Sequence, residues 1–246
     1  METVRKPFQG VWNIIRFNWP FYVLAAGLLL ILFLLSDTLL DGYSIWLELL
    51  LLVTGLSVLG SLFISAYVYD LSVLYRLDFL GQANSDSTWL NIHAGFDESS
   101  VLIEDKFKPK AFCVFDFYDP LKHSEVSIRR ARKAYPPYPG TERIITNRLP
   151  CDDKTVGTII LFLTAHEIRD DQERVVFFKE VKRVLMDDGK VFVVEHLRNR
   201  PNFLAYTLGF FHFHSRATWL RTFEGAGLQL NRELKLNPFI RLFELN

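Results

Sequence analysis

The sequence predicts an open, mainly parallel α/β sheet behind a pair of hydrophobic helices, and three observations carry that expectation. Two long runs near the start are almost free of charge: 19–35 holds none and 43–69 holds only Glu48. Beyond about Asp78, short apolar runs alternate with amphipathic stretches, the pattern of parallel strands joined by helices. Hydrophobic residues make up 50% of the 246 residues, a high share for a soluble chain, and the two runs account for the excess.

A membrane-spanning helix needs roughly 20 mainly apolar residues. The run 19–35 reaches that length once Trp19, Phe21 and Tyr22 are placed in the interface, where aromatic rings are favoured. The run 45–68 is long enough to span with some tilt. Between them 36–42 carries Asp37 and Asp41 and no basic residue, whereas Arg5, Lys6 and Arg16 precede the first run and Arg76 follows the second. The positive-inside rule therefore places both ends and the catalytic part in the cytosol, on the inner (cytoplasmic) membrane. The expected organisation is a membrane anchor at 1–77 and a cytosolic domain at 78–246. No small-residue cleavage site follows the first run, which argues against a cleaved signal. Net charge is zero, so nothing points to nucleic acid. The two cysteines, Cys113 and Cys151, are expected as unpaired thiols in a reducing compartment.

Strands are expected near 88–92, 111–115, 143–145, 158–163, 190–195, 228–236 and 239–245. Helices are expected at 99–107, 124–135, 171–185 and 216–224. In the third of these Val175, Phe178, Val181, Lys182 and Leu185 recur at helical spacing, and Asp187-Asp188-Gly189 supplies a tight turn after it. Ligands in such sheets bind at the carboxyl ends of the strands, beside the point where strand order reverses. The residues to weigh are therefore 91–97, 116–119, 149–152, 165–167 and 195–196.

These residues bring out a resemblance to class I S-adenosylmethionine-dependent methyltransferases, in particular the ubiquinone and menaquinone branch. Leu149-Pro150-Cys151-Asp152-Asp153, Ala165-His166-Glu167-Ile168-Arg169-Asp170, 180–185 and Gly189 with 191–195 resemble that branch in order and spacing. Tyr69-Asp70 with Tyr75 resembles the Tyr-Asp element before its first strand. Thr218-Trp219-Leu220 with Ala226-Gly227-Leu228 resembles its last helix and turn. The resemblance implies a Rossmann-like sheet of seven strands, the last antiparallel, and S-adenosylmethionine as cofactor. It implies cofactor contacts from Tyr69, Asn91, His93, Gly95, Asp97, Asp116, Phe117 and Pro150. The family's first loop reads Asp-x-Gly-x-Gly-x-Gly. Here Asn91, His93, Gly95 and Asp97 stand at the matching positions, so Gly95 alone keeps the close backbone approach that glycine permits. Asp116 matches the acid that accepts hydrogen bonds from the ribose. Thr146 and Asn147 replace an acid before Leu149-Pro150, and Gly157 replaces the acid that opens the fourth strand.

The stretch 202–214 is apolar nearly all round and ends in histidines. It matches the position of the family's substrate-covering insert, which implies a lipophilic acceptor such as a quinone, phenol, polyene or lipid. Phe203, Tyr206, Phe210, His214, Glu167 and Glu195 are the expected substrate contacts. His166, His212 and His196 are the expected proton acceptors, because a phenol or enol must lose its proton as the methyl arrives and imidazole titrates near neutrality. Methyl transfer to oxygen is the leading expectation. Two readings compete with it: another use of the same cofactor on a quinone-like substrate, and a silent member that binds lipid or scaffolds a membrane complex. His166-Glu167 and Glu195-His196 end neighbouring strands, but no zinc or metalloprotease spacing occurs and no metal is expected. The basic segment 127–133 reads as a solvated helix face or a contact for anionic headgroups.

Overall fold

A computed structural model describes residues 5–39, 44–81, 83–123 and 126–246. Two long helices lead. Helix α1 covers Gln9–Leu39 and α2 covers Ser44–Ala66, and they pack along one another. Both contain windows long and apolar enough to cross a membrane by length and composition, with mean hydropathy 2.0 and 2.2, and almost nothing in those windows is buried. Leu24, Leu34, Leu59 and Phe63 stand more than half exposed. Helix α1 begins ten residues before the expected span, and this first part is clasped by the rest of the chain. Its leading amides, Gly10 N and Val11 N, donate to the Asp70 carboxylate at 2.7 and 2.9 Å. An anion at a helix N-terminus satisfies otherwise orphaned donors and complements the dipole. The expected link at 36–42 falls partly inside α1 and partly outside the described residues, and Glu48 stands exposed early in α2.

No linker separates the hairpin from the sheet. Helix α2 passes into a π-turn at Tyr67–Leu71, then short 3₁₀ turns. Val68, Leu74, Leu77 and Leu80 from this segment are fully buried in a core with Trp89, Ile160, Phe192 and Leu242. A division after residue 77 would strip three of those side chains from the core.

The sheet has seven strands: β1 Thr88–His93, β2 Ala111–Asp116, β3 Glu142–Arg143, β4 Val156–Phe162, β5 Leu185–His196, β6 Leu230–Lys235 and β7 Ile240–Leu245. Their order is β3-β2-β1-β4-β5-β7-β6, and β7 runs antiparallel to both neighbours. Helices α3 Ser100–Phe107, α4 Val126–Ala134, α5 Asp171–Val184, α6 Arg200–Tyr206 and α7 Arg216–Gly225 complete the domain. Residues 124–125, expected to open α4, lie outside the described residues. Sequence signals set several ends. Asp170 caps α5 by accepting from Glu173 N, and Ser215 caps α7 by accepting from Thr218 N. One face of the sheet buries Phe177, Phe178 and Val181 of α5 against Trp219 and Phe223 of α7; the other carries the core that includes 68–80.

Two details differ from expectation. The third strand is two residues long and ends before Ile145, because only Phe115 and Asp116 offer it partners. The turn expected at 187–189 is an excursion within β5: Val156 pairs with Leu185 and Thr158 with Lys190, so 186–189 lie opposite Gly157 alone. Gly157 explains its own departure from the family's acid. A Cβ there would sit 2.3 Å from Ser87 Oγ and 2.5 Å from Ser87 Cβ.

Candidate functional site

Strand order reverses between β1 and β4, and the carboxyl ends of β1, β2, β4 and β5 converge there. On the β1–β2 side, Asn91 Nδ2 donates to Ser99 Oγ at 3.0 Å and Ser100 Oγ at 2.7 Å. Asp97 Oδ1 accepts from Ser99 N and Ser100 N, both at 3.0 Å. Asn91 and Asp97 thus bind the first loop to the start of α3. Gly95 has φ +91°, and a Cβ on it would meet Arg132 Nη1 at 2.6 Å and Tyr118 Cβ at 3.0 Å. Both the left-handed conformation and the close approach call for glycine.

His93 accepts a hydrogen bond from Gly95 N at Nδ1, 3.1 Å. Its proton is therefore on Nε2, which is buried with no partner among the described residues; the Tyr118 hydroxyl is in the same position. Burial lowers the His93 pKa against the pull of Asp97 and Asp116, which agrees with a neutral ring. Asp116 is buried at the end of β2, accepts from Tyr118 N at 2.9 Å and is paired by Arg132 Nη1 at 2.5 Å. Arg132 also lies over the Tyr118 ring at 4.5 Å. Gly95, His93, Asp116 and Tyr118 thus meet at the ends of β1 and β2, with His93 Nε2 and the Tyr118 hydroxyl buried and unpartnered among the described residues.

Two expected cofactor contacts lie elsewhere. Phe117 is turned into the core against His123 and Phe177, ring centroids 5.5 and 5.6 Å away, and alternation along the extended chain sends Tyr118 under Arg132 instead. Pro150 is exposed where the chain returns toward the start of β4. The stretch around it is structural: Glu180 Oε2 accepts from Leu149 N, and Arg183 donates to the carbonyls of Leu149 and Cys151.

On the β4–β5 side lies a cavity of about 400 Å³ between α1, α2, α4 and the 206–213 segment, lined among others by Tyr69, His166, His196, Tyr206 and His212. Tyr69 lines this cavity beside Phe96 and Glu98. Its hydroxyl is 2.8 Å from His196 Nε2. Asn202 Nδ2 spends its protons on Leu197 O, Asn199 Oδ1 and Phe239 O, so its Oδ1, 3.1 Å from His196 Nδ1, is an acceptor. His196 therefore carries its proton on Nδ1 and receives one from Tyr69. Burial brings its pKa down to about 3, and it stacks on Phe213 at 4.7 Å. It holds the Tyr69 hydroxyl in place.

His166 is set differently. Its Nδ1 lies 2.7 Å from Glu195 Oε2, and Glu195 Oε1 accepts from the amides of Thr164 and His166 at 3.1 and 3.2 Å. Glu195 is fully buried and stands behind His166, out of reach of a substrate. His166 Nε2 lies 3.3 Å from Glu167 Oε1, and His212 Nε2 lies 3.1 Å from the same oxygen. Burial opposes the charge on His166, yet Glu195 and Glu167 raise its pKa well above the ordinary value. Burial likewise opposes ionisation of Glu167, and the two histidines hold it well below the carboxylate range.

The 207–212 segment is a 3₁₀ turn and the chain then extends, so His212 and His214 part company. His214 is buried away from the cavity, 3.0 Å from Arg174 Nη1 and edge-on to Trp219, and its pKa falls to about 3 through burial and that cation. Tyr206 lines the cavity, its phenol pushed by burial up to about 12. Phe203 and Phe210 pack on each other at 5.4 Å outside it. Sequence reasoning missed Glu98, which Arg5 and Tyr75 bind at 2.9 and 2.8 Å, and the clasp of α1, where Phe17 meets Phe96 edge-on. Only folding brings these segments together. Both cysteines are free.

No protein-family model matches the sequence, and no curated protein does either. Solved structures do. One is a chain of the complex between the Haloferax volcanii Trm112 methyltransferase activator and a methyltransferase, at TM-score 0.50 and 13% identity, covering 71% of this chain and 89% of that one. Another is the geranyl diphosphate C-methyltransferase of Streptomyces coelicolor, solved with Mg²⁺, geranyl diphosphate and S-adenosyl-L-homocysteine, at TM-score 0.49 and 16% identity over 69% and 76% of the two chains. A third is an S-adenosylmethionine-dependent methyltransferase from Aquifex aeolicus, at TM-score 0.48 and 16% identity over 68% and 87%. At these identities the likeness is one of architecture: the sheet and its flanking helices share a methyltransferase fold with the first of these structures.

Proposed function

We propose that this protein transfers a methyl group from S-adenosylmethionine to an oxygen of a lipophilic acceptor resident in the inner (cytoplasmic) membrane. The observation that carries the reading is the cavity of about 400 Å³ walled on one side by the two membrane-length helices and on the other by His166 and His212. An acceptor dissolved in the bilayer can reach it between α1, α2 and the aromatic segment. Leu204 and Phe211, 77% and 56% exposed, extend the apolar surface of the hairpin. Arg130 on α4, which lies over Trp19 of α1 at 6.0 Å, sits at headgroup level.

Asp116 and His93 would hold the ribose side of the cofactor, with Gly95 allowing the backbone close to it. When bound, S-adenosylmethionine supplies a methyl already activated as a sulfonium. The chain aligns the acceptor and takes its proton. Tyr69, fixed by His196, and Tyr206 orient the polar head of the acceptor. The hydroxyl proton passes into the cluster of His166, Glu167 and His212.

Two measurements test this. In calorimetry with the detergent-solubilised chain, Asp116→Ala is expected to weaken S-adenosylmethionine binding by about 10- to 150-fold, the loss of a charge-assisted hydrogen bond of ~1.5–3 kcal/mol; unchanged affinity places the ribose elsewhere. Incubation with S-adenosylmethionine and lipid extract from a deletion strain is expected to yield one species heavier by a methyl group. Its absence, with cofactor binding intact, favours the silent lipid-binding reading.

A further inference from the structure

The His166, Glu167 and His212 side chains offer three donor atoms within 4.8 Å of one another; His166 and His212 line the cavity of about 400 Å³, and Glu167 lines a smaller neighbouring one. Two contacts sit at 3.3 Å, His166 Nε2 to Glu167 Oε1, and 3.1 Å, His212 Nε2 to the same oxygen. Ligands about 2.1 Å from one ion lie about 3.0 Å apart in octahedral and about 3.4 Å apart in tetrahedral geometry. The measured separations fall between those values. The two imidazole rings stand nearly perpendicular, 83°, with centroids 5.0 Å apart.

What surrounds the three donors separates a metal site from an ordinary hydrogen-bonded cluster. A metal-bound histidine almost always gives its other ring N–H to a carboxylate or carbonyl, which fixes its orientation. His166 does so at Nδ1, to Glu195 Oε2 at 2.7 Å, and Glu195 is itself pinned by two backbone amides. Charge points the same way. Glu167 and Glu195 are 6% and 0% exposed, and two buried carboxylates call for two positive charges. His166 and His212 both line the cavity.

We propose that His166, Glu167 and His212 bind one divalent first-row transition-metal ion, with Glu195 orienting His166 and open coordination positions facing the cavity. Two imidazoles and one carboxylate on one face suit Zn²⁺, Mn²⁺, Fe²⁺ or Co²⁺, and the nitrogen donors disfavour Mg²⁺ and Ca²⁺. The inference deepens the function proposed above and rests on it in one respect, that the acceptor occupies this cavity. An acceptor with adjacent oxygens, such as a catechol, hydroquinone or enediol, could take the open positions, and an ion-bound hydroxyl gives up its proton at lower pH. With the ion bound, His166 and His212 serve as ligands in place of proton acceptors, and the acceptor's proton leaves to solvent.

The test is a Co²⁺ titration of the full chain in detergent after chelator treatment, read by visible d–d absorption and by calorimetry. Neither S-adenosylmethionine nor acceptor is present, so failure of the methyl-transfer reading leaves this result standing, and the reverse. One saturable equivalent is expected. His212→Gln and Glu167→Gln should each weaken it at least tenfold, Glu195→Gln by about 10–100-fold, and the surface change Glu224→Gln not at all. His212 is the most exposed of the three, so its variants are the ones that tolerate substitution, and the thermal midpoint without metal checks the fold. His212→Cys should add a thiolate-to-cobalt charge-transfer band, which a role in folding alone would not produce. A parent chain with no saturable band, a band unchanged in His212→Gln, or His212→Cys binding Co²⁺ without the new band would each overturn the proposal.

Discussion

Changing His166 to Gln is expected to lower methyl turnover by roughly 10²–10⁴-fold while leaving S-adenosylmethionine affinity nearly unchanged. The split follows from geometry. His166 reaches the cavity and the Glu167–His212 pair, whereas the residues proposed for the cofactor, His93, Gly95 and Asp116, lie at the ends of β1 and β2. His212→Gln should fall in the same range. His196→Gln should cost less, because its neutral ring touches Tyr69 and acts through it. Single-turnover rates beside binding isotherms give the comparison. Should His166→Gln turn over as fast as the parent, proton transfer does not pass through this cluster.

Replacing Glu195 with Ala is expected to destabilise the chain by about 3–5 kcal/mol, the cost of removing one partner from a buried charge pair. The loss leaves the His166 ring half-paired and the Thr164 and His166 amides without their acceptor. The effect should depend on pH. The folded-state pKa of His166 is raised above its unfolded value of about 6.5, so its contribution is fully present below about pH 6.5 and is lost as pH rises through the folded value. Glu167 behaves oppositely: its depressed pKa contributes stability above about pH 4.3 that is lost in stronger acid. The gap in unfolding midpoint between parent and Glu195→Ala should therefore be wider near about pH 6 than near about pH 9. An equal gap at both would mean that the two side chains do not form a charged pair.

Much of the architecture was legible because periodic burial writes itself into sequence. The apolar runs of β1, β2, β4 and β5 and the spacing of Phe178 and Val181 on α5 follow from local chemistry alone. So do the two apolar helices, whereas the closing antiparallel strand was implied by the family resemblance alone. Misplaced elements were those whose form depends on a partner: β3, which is as short as its pairing with β2 allows, and 187–189, drawn out into β5 by a register shift against β4.

Residue types at the strand ends were likewise readable, and Asp116, His166, Glu167 and Glu195 stand where the pattern put them. Their roles were not, since orientation is set by distant contacts. Phe117 and Tyr118 are neighbours in sequence, yet Phe177 draws one into the core while Asp116 binds the amide of the other. His212 and His214 are two residues apart, and the 3₁₀ turn followed by extended chain sends one to Glu167 and the other to Arg174. His196 and Glu195 are adjacent, but alternation along β5 sets one beside Tyr69 and the other behind His166. The sequence by itself determined the sheet, its helices and the set of polar residues at its carboxyl edge, because these obey short periods. Only the tertiary structure decided which of those residues meet: His212 joins Glu167 across 45 positions, and Asp70 caps α1 across 60, separations over which no local pattern carries information.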